Sequence, residues 1–156
     1  MSNVDIDLKE INRIVDDFMY SYMTHIVDTN HSATGNLALN QTKLIVINDH
    51  SFEVYLQLED YWKYLENGTK PHFPPISAIR EWIRVKPVLP RPYKGKLPTE
   101  TQLAYMIANK IDKVGTQPTH LLSNTIKDFN LTQKLQDAIA NALADRMDKY
   151  IKQYLD

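Results

Sequence analysis

Residues 43–58 read KLIVINDHSFEVYLQL. In the second half Phe52, Val54, Leu56 and Leu58 alternate with Glu53, Tyr55 and Gln57. A period of two places one set of side chains on each face of a strand, so this run reads as a half-buried antiparallel strand. The preceding run, residues 43–48, is a second strand, and the short DHS between them closes a hairpin. Everything around this hairpin has helical periodicity. The chain therefore reads as α+β, not as the strand–helix alternation of a parallel sheet.

Upstream, Leu8, Ile11, Ile14, Val15, Phe18, Tyr22 and Ile26 recur at steps of three and four, which predicts a long N-terminal helix. Asp7 and Glu10 have the spacing of a cap and its reciprocal partner. Met19, Met23 and Val27 widen the apolar face, as on a helix that touches both its own core and something else. Residues 29–36, TNHSATGN, are turn chemistry.

Downstream, residues 61–66, YWKYLE, read equally as a third strand or a helical turn. Gly68-Thr69-Lys70-Pro71 then leads into HFPP, and a helix starting at the prolines carries Ile76, Ile79, Trp82 and Ile83 on one face. Residues 87–98 are too rich in proline for a central strand and form an extended, basic surface loop. Thr99 and Gln102 form a capping box for the next helix, which stops at Gly115 in a second Gly-Thr-x-Pro element. Residues 119–128 carry no clear signal. A final helix runs from about Asn130 to the end. The expectation is one domain over 1–156: a long first helix, a small antiparallel sheet, then three helices.

The composition is that of an ordinary globular chain, 43% hydrophobic and 24% charged, with a net charge of −1 and no cysteine. Disulfides, thiolate metal sites and a cysteine nucleophile are thereby excluded. Near-neutrality argues against a protein whose main task is coating nucleic acid. The start lacks the pattern of a secretory signal, and no apolar run is long enough to cross a membrane. The five histidines show no metal-ligand spacing, and the adjacent acids Asp16-Asp17 and Glu59-Asp60 point apart rather than facing each other. No nucleophile elbow, phosphate loop or dinucleotide fingerprint is present. Neither an enzymatic activity nor a cofactor is expected. The stretch 80–96 carries Arg80, Arg84, Lys86, Arg91, Lys94 and Lys96 against only Glu81. It reads either as a solvated loop or as a contact for DNA or an acidic partner, with Arg84, Lys86, Arg91, Lys94 and Lys96 as the contact residues.

Three pieces in this order resemble the tail-completion, or head–tail connector, family of tailed bacteriophages. They are the Thr34-Gly35-x-Leu37 turn, the segment Tyr61-x-x-Tyr64-x-Glu66-x-Gly68-Thr69, and the helix with Ala104, Ile107, Ala108, Lys110, Ile111, Gly115 and Thr116. The resemblance spans most of residues 5–150. The insert at 87–98 is longer than the family's compact pattern, and Ala38 replaces its usual basic residue. What the resemblance implies is a non-enzymatic virion protein assembled in the bacterial host cytoplasm. It would form a ring of six or twelve copies in the phage neck, between a portal or adaptor ring and tail proteins, around the DNA channel and without membrane contact. Met19, Met23, Gly68, Thr69, Pro71, His72, Phe73, Pro74 and Pro75 are the expected subunit-interface residues. The alternative is a small DNA-binding or regulatory protein that uses 80–96.

Overall fold

A computed structural model of the chain describes residues 8–29, 40–47, 52–86, 88–92 and 94–155. Helix α1 covers Lys9–Asp28, strands β1 and β2 cover Thr42–Ile47 and Phe52–Gln57, and five helices follow: α2, Trp62–Asn67; α3, Ile76–Val85; α4, Glu100–Val114; α5, Leu121–Asp128; α6, Leu131–Leu155. The architecture is α+β and mostly helical, with a long first helix and a two-stranded antiparallel sheet. Two details left undecided by the sequence are settled. Residues 62–67, open between a third strand and a helical turn, are helix, and the unassigned 119–128 hold α5, so the described residues contain five helices after the hairpin instead of three.

Helix α1 is the centre of the body. Ile11, Ile14, Val15, Phe18, Tyr22 and Ile26 are all buried, as the three–four spacing requires. Its lower half packs with Ala138 and, around it, Ile45, Phe52, Phe129, Leu131, Leu135 and Ile139. Its upper half packs with Leu121, surrounded by Met23, Leu58, Tyr61, Trp62, Leu65 and Leu122. Phe18 joins the halves, stacked on Tyr22 at 6.5 Å and edge-on to Phe129 at 5.7 Å. This cluster explains α2: on a strand, Trp62 and Leu65 would face opposite sides, whereas three residues apart on a helix they share one side.

β1 and β2 pair antiparallel with Thr42 opposite Gln57 and Ile47 opposite Phe52. Two strands alone are marginal in water. Here Ile45 and Phe52 pack on the α1 cluster, and Lys43 ties the sheet to α1 through Asp16, Nζ to Oδ1 2.6 Å, and the Asn12 carbonyl. The Asp7 cap, the Thr34–Leu37 turn and the DHS connection lie outside the described residues. Within the described part of α1, Arg13 donates to the Glu10 carboxylate at 2.9 and 2.6 Å.

Helices α3 and α4 stand apart from the body. Each packs chiefly on the other. On α4 the fully buried positions are Ala104 and Ala108, and small side chains four residues apart let the two helices approach closely. The capping box at the start of α4 is formed: the Gln102 N–H donates to Thr99 Oγ1 at 3.2 Å, and the Thr99 N–H donates to Gln102 Oε1 at 2.9 Å. We refer to residues 70–114 as the arm.

Candidate functional site

The two Gly-Thr-x-Pro elements meet. Thr69 and Thr116 form an isolated antiparallel bridge. The Thr69 N–H donates to the Thr116 carbonyl at 3.1 Å, and the Thr116 N–H donates back at 3.2 Å. Their hydroxyl oxygens lie 3.0 Å apart. This clasp is where the chain leaves the body for the arm and where it returns.

Glycine is required on both sides. Gly68 has φ 67° and ψ −169°, and Gly115 has φ 69° and ψ −161°. That combination is almost confined to glycine. Gly115 differs from the left-handed cap with which many helices end: φ is positive, but ψ is extended, which sends the chain directly into the bridge. A Cβ on Gly68 would lie 2.2 Å from the Thr116 oxygen, and one on Gly115 would lie 1.9 Å from the Thr69 oxygen. Each glycine thus makes room for the other element's threonine.

Glu66 extends the joint into the body. It is a carboxylate only 7% exposed. Its oxygens accept the Leu122 N–H at 2.9 Å and the Ser123 N–H at 3.2 Å, together with the Ser123 hydroxyl. Those amides are the first donors of α5, which no side chain of its own N-cap satisfies. Glu66 is therefore a helix cap delivered from another helix, and its charge suits the positive end of the α5 dipole. The Leu65 and Glu66 carbonyls accept the Thr119 and His120 N–H groups at 2.8 and 3.2 Å. Next to this joint the Tyr22 hydroxyl has its pKa pushed up to about 12, by burial first and then by the negative charge of Glu66. Deeper, His25 Nδ1 lies 2.8 Å from Thr125 Oγ1, and that hydroxyl donates to the Leu121 carbonyl. The hydroxyl proton is thus committed, so Nδ1–H is the donor to Thr125.

The expected interface residues divide. Gly68 and Thr69 are engaged within the chain, and Met23 packs in the body core. Pro74 is buried and Met19 half-buried. Pro71, His72, Phe73 and Pro75 are exposed, Phe73 at 50%. The His72 N–H reaches the Ile111 carbonyl at 3.4 Å, which fixes the proline segment to the end of α4.

The basic residues divide as well. Arg80 and Arg84 both bind Glu100, at 2.8 and 3.0 Å from their Nε atoms. These contacts hold the Glu100 carboxyl below its ordinary range, Arg84 contributing first and Arg80 second. Lys86 lies over the Trp82 ring at 5.6 Å, and desolvation lowers its pKa. Arg91, Lys94 and Lys96 are exposed on the proline loop, where Lys94 and Gly95 form a turn with positive φ. Glu100 lies outside 80–96, so counting charges within that window missed it.

The window also hid a larger asymmetry. Residues 1–69 hold eleven acidic and four basic side chains, residues 70–114 nine basic and three acidic, and residues 115–156 five of each. The corresponding formal charges are −7, +6 and zero. The basic stretch is thus not the only charge asymmetry: an acidic region of similar size opposes it. The arm also exposes Phe73, Leu89, Leu97, Tyr105, Met106 and Val114. The end of α6 exposes Leu143, Met147, Tyr150, Ile151 and Tyr154.

Among the described residues there is no group of three or more His, Asp or Glu side chains placed to hold a metal ion. No helix there is long and apolar enough to cross a membrane. No protein-family model matches the chain, and no curated protein or solved structure matches it either.

Proposed function

We propose that the chain is a non-enzymatic structural component of a tailed-phage neck. It would assemble as a ring of six or twelve copies that joins a portal or adaptor ring to the tail around the DNA channel. One observation carries this reading. Glu66, Gly68, Thr69, Gly115 and Thr116, five of the residues that carry the resemblance, lie in two distant segments and converge on a single joint. Their spacing is thereby accounted for by architecture: a bridge, two glycine close approaches and a helix cap. None of them is left over for chemistry. Exposed apolar side chains on the arm and on α6 add surface of the kind that assembly buries.

The test is imaging of the purified chain by negative stain, alone and after incubation with portal-bearing head particles. Rings in solution, or rings acquired only on the particles, are expected. Absence of both refutes the proposal. The alternative, a DNA-binding protein using 80–96, would instead show steeply salt-dependent DNA binding by an isolated monomer. It is weakened by the pairing of Arg80 and Arg84 with Glu100.

A further inference from the structure

We infer that the arm of one copy docks on the acidic α1–hairpin region of the next, so that successive copies associate head to tail through opposite charge. The inference deepens the ring reading by naming the two faces of the subunit contact. Three observations lead to it.

First, the arm is a separate lobe. α3 and α4 pack chiefly on each other, and the Thr69–Thr116 bridge ties them to the body. A lobe held this way presents most of its surface outward. Second, the lobe is both cationic and apolar. Its formal charge is +6 over 45 residues, and Leu97, Pro98, Tyr105 and Met106 line a groove beside Lys96. An apolar patch with cations at its rim fits a folded acidic surface, because the patch contributes by burial and the rim sets orientation. Third, the same chain carries acids to match. The described residues of 1–69 hold eight acidic against four basic side chains, and Asp17, Asp28 and Asp60 among them are exposed. A contact between two different faces of identical subunits is the kind that closes into a ring.

A nucleic-acid partner would use the arm's charge but would be repelled by the body and would leave the apolar groove unfilled. A second copy uses all three features, so the chain is its own complement.

A charge exchange tests this. In one variant Arg91, Lys94 and Lys96 become Glu, which takes the arm from +6 to zero. In the other Asp17, Asp28 and Asp60 become Lys, which takes residues 1–69 from −7 to −1. Circular dichroism first establishes that both are folded, and sedimentation velocity then reads association. The wild type is expected to self-associate, about tenfold or more weakly in 0.5 M than in 0.05 M salt, because the Debye length contracts to a few ångströms. Each variant alone is expected to remain monomeric, and an equimolar mixture to recover association. The wild-type salt series decides the matter even if a variant fails to fold.

A wild type that stays monomeric at low salt overturns the inference, and so does one that binds duplex DNA without self-associating. Association indifferent to both salt and the substitutions overturns it too. Incorporation of these variants into particles distinguishes its failure from failure of the neck reading. Normal incorporation with salt-indifferent association removes only the arm contact. Salt-dependent association without incorporation of the wild type removes only the neck.

Discussion

Replacing Gly115 with alanine tests the clasp most directly. The new Cβ would sit 1.9 Å from the Thr69 carbonyl oxygen, and the backbone there has a positive φ. The conformation itself costs an L-residue about 1–3 kcal/mol. The overlap is with backbone, so no side chain can swing aside to relieve it. Relief requires Thr69 and Thr116 to part, which removes two backbone hydrogen bonds worth about 1 kcal/mol each. The total is about 3–5 kcal/mol. For a chain of this size each kcal/mol lowers Tm by roughly 2–4 °C, so a fall of about 10 °C is expected. Thermal melting followed by circular dichroism at 222 nm measures it. Gly68→Ala should behave similarly. The double variant should lose less than the sum of the two, because both break the same bridge. A Tm within 2 °C of wild type for Gly115→Ala would sink the reasoning, and so would full additivity.

Three further outcomes follow from the same joint and its neighbours. Glu66→Gln keeps the size but removes the charge that caps α5. Urea denaturation should show a loss of about 1–3 kcal/mol, as for a buried hydrogen-bonded charge left imperfectly replaced. Tyr22 titrates at about 12 when folded and near 10 when unfolded, so its contribution is intact below pH 10 and declines as pH rises toward 12. Melting between pH 9 and 12 should show that decline, and Tyr22→Phe should flatten it. Glu100 behaves oppositely: its folded pKa is depressed, so the stability it contributes is present above the ordinary carboxylate range and is lost as pH falls through its folded value. Glu100→Gln should reduce the arm's sensitivity to acid, read from Trp82 fluorescence between pH 6 and 3.

What was legible in the sequence was local. Thr99 and Gln102 stand three residues apart, and both halves of their box are formed. The α1 stripe has the period of one helix face, and all of its buried members obey it. The α5 helix was illegible for a physical reason: its cap is Glu66, more than fifty residues upstream, and His120 at its own N-cap position is left-handed with φ 51°. No local window contains that cap. The helical state of 62–67 is likewise set by burial of Trp62 and Leu65 against α1 and α5, where propensity alone was balanced. The two Gly-Thr-x-Pro elements stand out in the sequence as a repeat. Their partnership spans 47 positions and appears only when the backbone closes. Arg80 and Arg84 looked like available cations because Glu100 belongs to the following helix.

The clasp has a consequence for how such a chain can change over time. The points at which residues 69 and 116 enter and leave the arm are adjacent, so everything between them is an excursion that begins and ends in the same place. The body is therefore discontinuous in sequence but continuous in space, assembled from the segments on either side. An insertion or deletion in 87–98 alters the reach of the arm without displacing α1, α5 or α6, since no register in the body depends on its length. An entire arm could be exchanged for one from another chain, provided that the exchange preserves a glycine and a threonine at each end. The joint works as a standard fitting: it fixes where an arm attaches and leaves free what that arm recognises.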